Sequence, residues 1–422
     1  MKRLLIVYFS LLGSLVLATK KNLIIDTDLF SDVDDAGALL LAATSPDVNL
    51  LAVNVNHPSS YSALAASAIL AHYGKGDVPI GVTRPLTDDT FLDTWYFRLG
   101  EYASKVAYQF RGGKLRWGHA EEDAWGPVEL YRKVLSEAAD HSVTIVSIGF
   151  LDNLSALLNS TGDAHSPLPG RALLSRKVTE LVVMGGAYPS GKRSWNFWGS
   201  PLSGPGAAAH VINSWGANTN TSDGDGTNTT TTTTTAAAAT TTTSTTANTT
   251  VPQLTFLGND VGVYSLAGER LAAEGPALDP VGMAYGWYGY ERRARPAWDP
   301  LAVLYAVRGL EGQGKTGLFR VGDVCEVGCG FNVVDWEDGG NRWVCGGVVD
   351  GGGREGSRQE CVGRNQRFLR LGVTDEEAAA EVDRLFLEGA WAAARGKLRV
   401  PGLVPSTPGT PVGPVTTMCY IQ

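Results

Sequence analysis

Short runs of apolar, β-branched residues alternate along the chain with longer stretches rich in Ala and Leu. The short runs predict strands at Leu23–Ile25, Leu50–Val55, Val143–Ile148, Glu180–Met184 and Leu254–Leu257. The Ala/Leu-rich stretches predict helices at Asp34–Thr44 and Ser62–Tyr73. Such alternation is typical of βαβ units, in which parallel strands are joined by helices.

The fold class that follows is α/β: a mostly parallel, Rossmann-like open sheet with helices on both faces. In such a sheet, ligands bind beyond the carboxyl ends of the strands. The functional site is therefore expected at that edge. Polar residues that directly follow a strand are its candidate residues.

Two segments depart from this pattern. Residues 217–250 are almost wholly Thr, Ala, Asn, Ser, Gly and Asp, which predicts a disordered surface insertion. Residues 401–422 are rich in Pro, Gly and Thr and predict an irregular tail. The folded domain is therefore expected over residues 20–400, interrupted by the insertion. N-x-Ser/Thr sequons, which predict a glycoprotein, begin at Asn153, Asn159, Asn220, Asn228 and Asn248.

The N-terminus has the pattern of a secretory signal peptide over residues 1–18. Lys2 and Arg3 precede an apolar run from Leu4 to Leu17, which ends in small residues around Ala18. The alternative is a membrane anchor, but a span needs about 20 apolar residues. We therefore expect a secreted, extracellular protein with no stable membrane association.

The cysteines agree with an oxidising compartment. Four of the five, Cys325, Cys329, Cys345 and Cys361, lie in one Gly-rich stretch, which predicts two local disulfides without fixing their pairing. Cys419 is left over in the tail. The spacing does not fit a zinc finger or ribbon, and no histidine lies among them.

The charge excludes one class of partner. The 422 residues carry a formal net charge of -8, whereas a nucleic-acid polymer usually requires a basic face. A small neutral substrate is compatible with this charge, and a homo-oligomer is left open.

The most informative segment follows the first strand. It places five carboxylates within ten residues, namely Asp26, Asp28, Asp32, Asp34 and Asp35. So many like charges repel unless something neutralises them, and hard divalent cations bind such oxygen clusters. Helix capping alone would need only one or two of them. The segment therefore predicts a divalent-cation site.

This segment resembles the aspartate signature of the inosine-uridine-preferring nucleoside hydrolase family, in a longer, secreted, fungal-like variant with two extra residues before the paired aspartates. The resemblance continues in order along the chain. Ser147–Leu154 is similar to the family's Gly-Pro-Leu-Thr-Asn-Leu loop, and Val183–Ala187 to its Met-Gly-Gly segment. Trp195 and Asn196 resemble the end of its ribose clamp, and Trp298–Ala302 its His-Asp-Pro-Leu-Ala motif.

The resemblance implies Ca²⁺ held by Asp28, Asp35, Asp299 and the backbone carbonyl of Asp152. Asp28 would also be the catalytic general base, which takes a proton from the calcium-bound water. The reaction implied is hydrolysis of the N-glycosidic bond of a ribonucleoside to free base and ribose. The remaining implied roles are ribose binding by Asp34 and Asn196, and support of the site from behind by Asp26.

The sugar-binding and base-binding half departs from the family pattern. Trp298 replaces the histidine that protonates the leaving base; an indole cannot do so, although it could stack on the base. Ser194 stands where the clamp glutamate is expected, and Ser59 stands roughly where an asparagine contacts the ribose. Asn56, with Asn54 and His57 beside it, is a candidate substitute.

Two further hypotheses stay open at this point. Asp26 and Asp28 after an apolar strand are also compatible with a phosphatase of the haloacid-dehalogenase type, but Phe30 and the 298–300 motif do not fit that family. A catalytically weakened, secreted ribosyl-binding protein would explain Trp298 and Ser194. For the base pocket, Trp287, Tyr288 and Tyr290 are weaker candidates, and His119 is expected to be structural or exposed.

Overall fold

A computed structural model describes residues 20–30, 32–90, 101–192, 194–200, 203–215, 251–288, 294–310, 317–325, 330–345, 348–349, 360–361 and 365–397. The predicted signal peptide, Thr-rich insertion and irregular tail lie outside these residues, as do Cys329, Cys419 and Tyr290. Within the described part of the chain, no helix is both long and apolar enough to cross a membrane.

Eight strands form the main sheet. They are β1 (Lys21–Thr27), β2 (Val48–Val55), β3 (Ile80–Val82), β4 (Val143–Ser147), β5 (Val178–Met184), β7 (Gln253–Leu257), β10 (Phe319–Val321) and β15 (Gln366–Leu371). Their order is β10-β15-β7-β5-β4-β1-β2-β3. Only the edge strand β10 is antiparallel to its neighbour. The prediction of a mostly parallel open sheet is thus confirmed.

The helices of the described residues follow in chain order. They are α1 (Asp34–Thr44), α2 (Ser60–His72), α3 (Ala103–Gln109), α4 (Ala120–Asp123), α5 (Pro127–Glu137), α6 (Asp152–Asn159), α7 (Gly170–Lys177), α8 (Trp195–Trp198), α9 (Gly206–Trp215), α10 (Glu269–Glu274), α11 (Pro280–Tyr288), α12 (Trp298–Arg308) and α13 (Asp375–Lys397). The predicted helix at Asp34–Thr44 has the observed bounds. The second begins two residues earlier than predicted, because the Ser59 hydroxyl caps it by accepting from the Tyr61 amide.

The sheet is buried on both faces because successive side chains of a strand point in opposite directions. In β1, Leu23 and Ile25 join the core under α1, α2, α11, α12 and α13. Ile24 joins the core on the other face, under α5, α6, α7 and α9. This explains why the strands appear in the sequence as continuous apolar runs, and it confirms helices on both faces.

Short strands form small accessory sheets. They are β6 (Ser190–Gly191), β8 (Leu266–Ala267), β9 (Arg295–Pro296), β11 (Gly330–Val334), β12 (Asn341–Cys345), β13 (Val348–Val349) and β14 (Glu360–Cys361). Strand β12 pairs with β11 and β6, β8 pairs with β9, and β13 pairs with β14. A disulfide joins Cys325 to Cys345, which accounts for one of the two predicted bridges.

Gly149 brings two strand ends together at the edge that carries the acidic segment. A Cβ at this position would lie 2.3 Å from the backbone nitrogen of Asp28 and 2.8 Å from Oδ1 of Asn56. Only glycine therefore lets the β4–α6 loop pack against the β1–α1 loop. The spacing of the two loops depends on this missing side chain.

We expect Gly149→Ala to lower the free energy of unfolding by about 1–3 kcal/mol, the usual cost of overpacking a buried site. Gly286→Ala is the matched control, since an added Cβ there meets no atom within 4 Å and Gly286 lies in helix α11. The control should stabilise slightly, by roughly 0.5–1 kcal/mol. Urea unfolding of both variants measures the difference; equal effects would contradict this account of Gly149.

Candidate metal and active site

The acidic segment lies at the point where the strand order reverses. Strand β1 pairs with β2 on one side and with β4 on the other. The chain passes from β1 to β2 in one direction along the sheet and from β4 to β5 in the opposite direction. Such a reversal opens a crevice at the carboxyl edge of the sheet. The loops after β1 and β4 meet there, and the Ile148 amide donates to the Asp26 carbonyl at 2.7 Å.

A cleft of about 330 Å³ lies beyond these strand ends. Its lining includes five carboxylates, Asp28, Asp32, Asp34, Asp35 and Asp299. It also includes the indoles of Trp195 and Trp298, the amides of Asn196 and Asn259, and the guanidinium of Arg295. The site is therefore at the edge of the sheet where the sequence predicted it.

Three of these carboxylates form a compact group that could hold a metal ion, called the metal group below. Oxygen atoms of Asp34, Asp35 and Asp299 all lie within 4.8 Å of one another, and all three residues are buried. Asp34 and Asp35 begin helix α1, and Asp299 lies in the first turn of α12. The positive ends of two helix dipoles thus partly offset the negative charge.

Burial raises the pKa of each of these three carboxyls well above its ordinary value, and the neighbouring carboxylates raise it further. Hydrogen bonds offset little of this cost: the Asp299 amide donates to Asp34 at 3.1 Å, and the Thr27 hydroxyl donates to Asp35. A set of close, buried carboxylate oxygens fits a hard divalent cation, which would neutralise them together. The residues present could therefore hold a metal.

Asp28 lines the same cleft but is not one of these three. Its Oδ2 accepts a hydrogen bond from the Trp195 indole nitrogen at 3.1 Å. Asp34, expected to hold ribose, lies within the group. The structure thus brings Asp28, Asp34, Asp35 and Asp299 together in one cleft. Asp34 lies beside the carboxylates of Asp35 and Asp299, whereas the resemblance assigned it to the ribose.

Asp26 lies behind the cleft, as expected for a supporting residue. Its carboxylate accepts hydrogen bonds from Asn56 at 2.6 Å, Tyr131 at 2.7 Å and Asn153 at 3.3 Å. Burial raises the pKa of Asp26 to about 7, although these three donors act in the opposite direction. Asp26 thereby ties β1 to α5, to α6 and to the loop after β2.

Asn56 was expected to contact substrate, but it does not line the cleft. Its amide nitrogen donates to Asp26 and to the Phe150 carbonyl, the latter at 2.8 Å, and its oxygen accepts from the Phe150 amide at 3.3 Å. Both ends of the side chain are therefore used to hold the two loops together. The geometry favours a supporting role for Asn56.

Asn196 lies in the cleft and joins two strand ends. Its amide nitrogen donates to the carbonyls of Ile148 at 3.1 Å and Met184 at 3.0 Å. Ser194, two residues earlier, accepts from the Gly186 amide at 2.8 Å. Ser194 thus has a structural partner, and the ribose role of Asn196 stays a prediction.

Trp298 and Asp152 have defined partners as well. The Trp298 indole nitrogen donates to the Asn259 carbonyl at 2.9 Å, so its ring forms part of the cleft wall. The Asp152 side chain accepts from the Ser200 hydroxyl at 2.9 Å, and Asp152 is not among the residues that line the cleft. Coordination by its carbonyl stays a prediction.

The weaker candidates lie elsewhere. The His119 side chain is 50% exposed and lies 3.5 Å from Glu122, so it is the exposed residue that was expected. Trp287 and Tyr288 pack against the core and are not among the cleft residues. His57 stacks on Phe30, and burial lowers the pKa of His57 to about 4.

Sequence reasoning missed Asn259, Val263 and Arg295 of the cleft, and Arg295 is the charged residue among them. Arg295 binds Asp32 through Nε at 2.8 Å and through Nη2 at 2.5 Å. The two residues are 263 positions apart, so no local pattern connects them. Asp32, whose role the sequence left open, thus has a cationic partner inside the cleft.

These features define an open-sheet α/β protein with a buried acidic group at the switch point of the sheet, where a metal ion could bind. The chain belongs to the inosine-uridine preferring nucleoside hydrolase family, whose model matches residues 23–358. The match covers the acidic segment, the 298–300 motif and most of the main sheet, and it ends before strand β15.

Curated relatives match over a shorter region. A pyrimidine-specific ribonucleoside hydrolase, RihA, of Photobacterium profundum is 30% identical over 177 residues, which is 40% of this chain and 50% of the relative. RihA of a Shewanella species is 29% identical over 168 residues, 38% of this chain and 46% of the relative. The chain therefore spans about half the length of the curated relatives it matches.

Solved structures share the fold at low identity. A purine-preferring ribonucleoside hydrolase from Gardnerella vaginalis superposes with a TM-score of 0.55 at 16% identity, covering 89% of this chain and 99% of that one. The type III effector XopQ, in a structure complexed with adenosine diphosphate ribose, gives 0.51 at 14% identity, covering 88% and 95%. These likenesses confirm the architecture.

The raised pKa values predict how a cation should stabilise the fold. Without a cation, the folded protein retains protons on Asp34, Asp35 and Asp299 that the unfolded chain releases above its ordinary pKa of 3.8. Stability from this group is therefore lost as pH rises above 3.8. A bound cation replaces the protons, so its stabilisation should grow with pH.

We expect the rise in Tm on adding millimolar calcium to be larger at about pH 8 than at about pH 5. Differential scanning calorimetry with and without EDTA measures it, and Asp35→Asn should abolish most of the difference. Asp77→Asn, at a fully exposed side chain, is the control and should behave as wild type. A calcium effect independent of pH would contradict metal binding by this group.

Proposed function

We propose that this protein hydrolyses the N-glycosidic bond of ribonucleosides and releases the free base and ribose. The observation that carries the proposal is the buried group of Asp34, Asp35 and Asp299 beside Asp28 in one cleft. Family membership supports the same reaction, as does the ribonucleoside hydrolase activity that the relatives' names state.

Calcium is the cation that suits this site best. Its coordination accepts many carboxylate oxygens in flexible geometry, whereas Mg²⁺ requires a nearly ideal octahedron. Asp34, Asp35 and Asp299 would hold it, with Asp28 at its side. A bound divalent cation lowers the pKa of a coordinated water and so supplies a nucleophile at neutral pH.

Asp28 is the proposed general base. Its carboxylate lies in the cleft, and the Trp195 indole fixes its orientation by donating to Oδ2. A base held in this way takes the proton from the attacking water as the glycosidic bond breaks. The departing base keeps the electron pair of that bond and takes a proton from solvent. The transition state of this reaction resembles an oxocarbenium ion, so the surrounding carboxylates stabilise its positive charge.

The ribose and the base occupy different parts of the cleft in this proposal. Asn196 contacts the ribose hydroxyls near the acidic group, and Asp34 serves both the cation and the sugar because a carboxylate has two oxygens. The Trp298 ring offers a flat apolar surface for stacking of the base. Its indole nitrogen donates a hydrogen bond to the Asn259 carbonyl. Anchoring of the ring by Asn259 keeps that surface in place.

Secretion of a glycosylated chain is a further part of the proposal. It is supported by the basic and apolar pattern of residues 1–18 and by the Cys325–Cys345 disulfide. Asn159 is exposed and suitable for a glycan, whereas Asn153 is buried and bonded to Thr83 and Asp26. Mass spectrometry of protein secreted by a eukaryotic host would detect the mature N-terminus and the glycan at Asn159.

The hydrolase proposal predicts release of free base only when a divalent cation is present. Purified protein would be incubated with purine and pyrimidine ribonucleosides, and the base quantified by chromatography. EDTA should abolish release, calcium should restore it, and Asp28→Asn should lower kcat by about 10²–10⁴-fold because the proton acceptor is lost. Asp77→Asn is the control; cleavage that persists in EDTA would overturn the proposed mechanism.

A ribosyl-binding protein without turnover is the second candidate. The Trp298 indole nitrogen is bonded to Asn259 and does not provide the proton that a leaving base requires. XopQ, which shares the fold, has been solved with adenosine diphosphate ribose. Calcium-dependent binding of ribose or adenosine diphosphate ribose in calorimetry, with no base released from any nucleoside, would establish this candidate. Phosphatase activity without nucleoside cleavage would instead favour the haloacid-dehalogenase type.

A further inference from the structure

The metal group is assembled from two distant segments of the chain. Asp34 and Asp35 belong to the start of α1, and Asp299 to the start of α12, 265 residues after Asp34. Any two of these carboxyls that are ionised together repel one another, so ionisation opposes the close approach of the two segments. Packing in one buried core and the bond from the Asp299 amide to Asp34 bring the two helices together, and polar contacts near their first turns set the spacing of the carboxylates.

Asp32 and Arg295 connect the same two segments. Asp32 lies two residues before Asp34, and Arg295 lies four residues before Asp299. The guanidinium meets the carboxylate with two nitrogens, Nε and Nη2, at 2.8 Å and 2.5 Å. Such a two-point contact fixes orientation as well as distance.

Each partner is held from other directions. The Asp32 carbonyl accepts from the Tyr102 hydroxyl at 2.5 Å, and its Oδ1 accepts from the Val33 amide at 2.7 Å. The Arg295 guanidinium lies over the rings of Tyr288 and Trp298, 5.5 Å from each ring centre. The side chains are only 17% and 24% exposed, so water screens the pair weakly.

We propose that Asp32 and Arg295 are a positioning pair that holds the metal group in its binding geometry before the cation binds. The inference rests on the proposed metal site and goes beyond it by assigning a role to two residues outside the group of three. Neither residue needs to touch the cation. Both act through the distance between Asp34 or Asp35 and Asp299.

A role of the pair through its charge and a role through positioning predict opposite results for Arg295→Gln. If only charge mattered, Asp32→Asn would weaken cation binding and Arg295→Gln would strengthen it, because a positive charge has been removed. If the pair positions the group, both variants should weaken binding. We expect about 10–100-fold weaker calcium affinity for each, the usual effect of losing a residue that orients metal ligands.

Calcium titration of the folded, EDTA-treated full-length protein by calorimetry measures these affinities. Arg295→Lys keeps the charge but loses the two-point contact, so it should give an intermediate loss and also serves if Arg295→Gln does not fold. The double variant Asp32→Asn/Arg295→Gln should bind no more weakly than either single variant. Arg116→Gln is the matched control, because it breaks the exposed two-point contact with Asp123 and should leave calcium affinity unchanged.

These measurements distinguish failure of the positioning role from failure of the metal site itself. Equal or tighter binding by Arg295→Gln, or by Arg295→Lys where the first does not fold, overturns the positioning role while leaving the metal site in place. A lower Tm in both variants with wild-type calcium affinity also overturns it, since the pair would then only stabilise the fold. Failure of the wild-type protein to bind calcium or another divalent cation overturns the proposed metal site and the positioning role together.

Discussion

The repulsion among buried carboxylates is the constraint on which the rest of this structure depends. Oxygens of Asp34, Asp35 and Asp299 lie within 4.8 Å of one another and are largely buried, an arrangement that proteins avoid unless function requires it. Several neighbouring groups lower the electrostatic free energy of this arrangement. Two helix N-termini point at the group, and Arg295 neutralises the adjacent Asp32. The fold thus gathers these close, buried carboxylates at one edge of the sheet.

The surrounding residues divide into those that form the cleft and those that hold its walls. Asp26 and Asn56 connect β1 to the loops after β2 and β4, and Asn196 connects the ends of β4 and β5. These bonds are buried and short, and they involve backbone carbonyls as often as side chains. The strand ends are therefore fixed relative to one another, which a site that must align a sugar, a water and a base requires.

Much of the fold and about half of the site could be predicted from the sequence. The strands were visible because buried parallel strands are continuous apolar runs, and α1 because Asp34 and Asp35 precede an Ala/Leu stretch. The family resemblance, and not the local pattern, suggested a supporting role for Asp26. The contact between Arg295 and Asp32 was invisible, since it joins positions 263 apart and obeys no period. Asn56 was assigned to substrate because its position after β2 shows only that it is near the site, not which way its amide faces.

The three clustered carboxylates come from distant parts of the chain, which matters while the protein is being synthesised. Two come from the first helix and the third from residue 299, so an N-terminal fragment that ends earlier carries only part of the group. During synthesis, Asp34 and Asp35 are made well before Asp299. The capacity to capture a cation tightly arises only once the late segment has docked. A cation held by all three carboxylates would therefore stabilise only a chain that extends past residue 299.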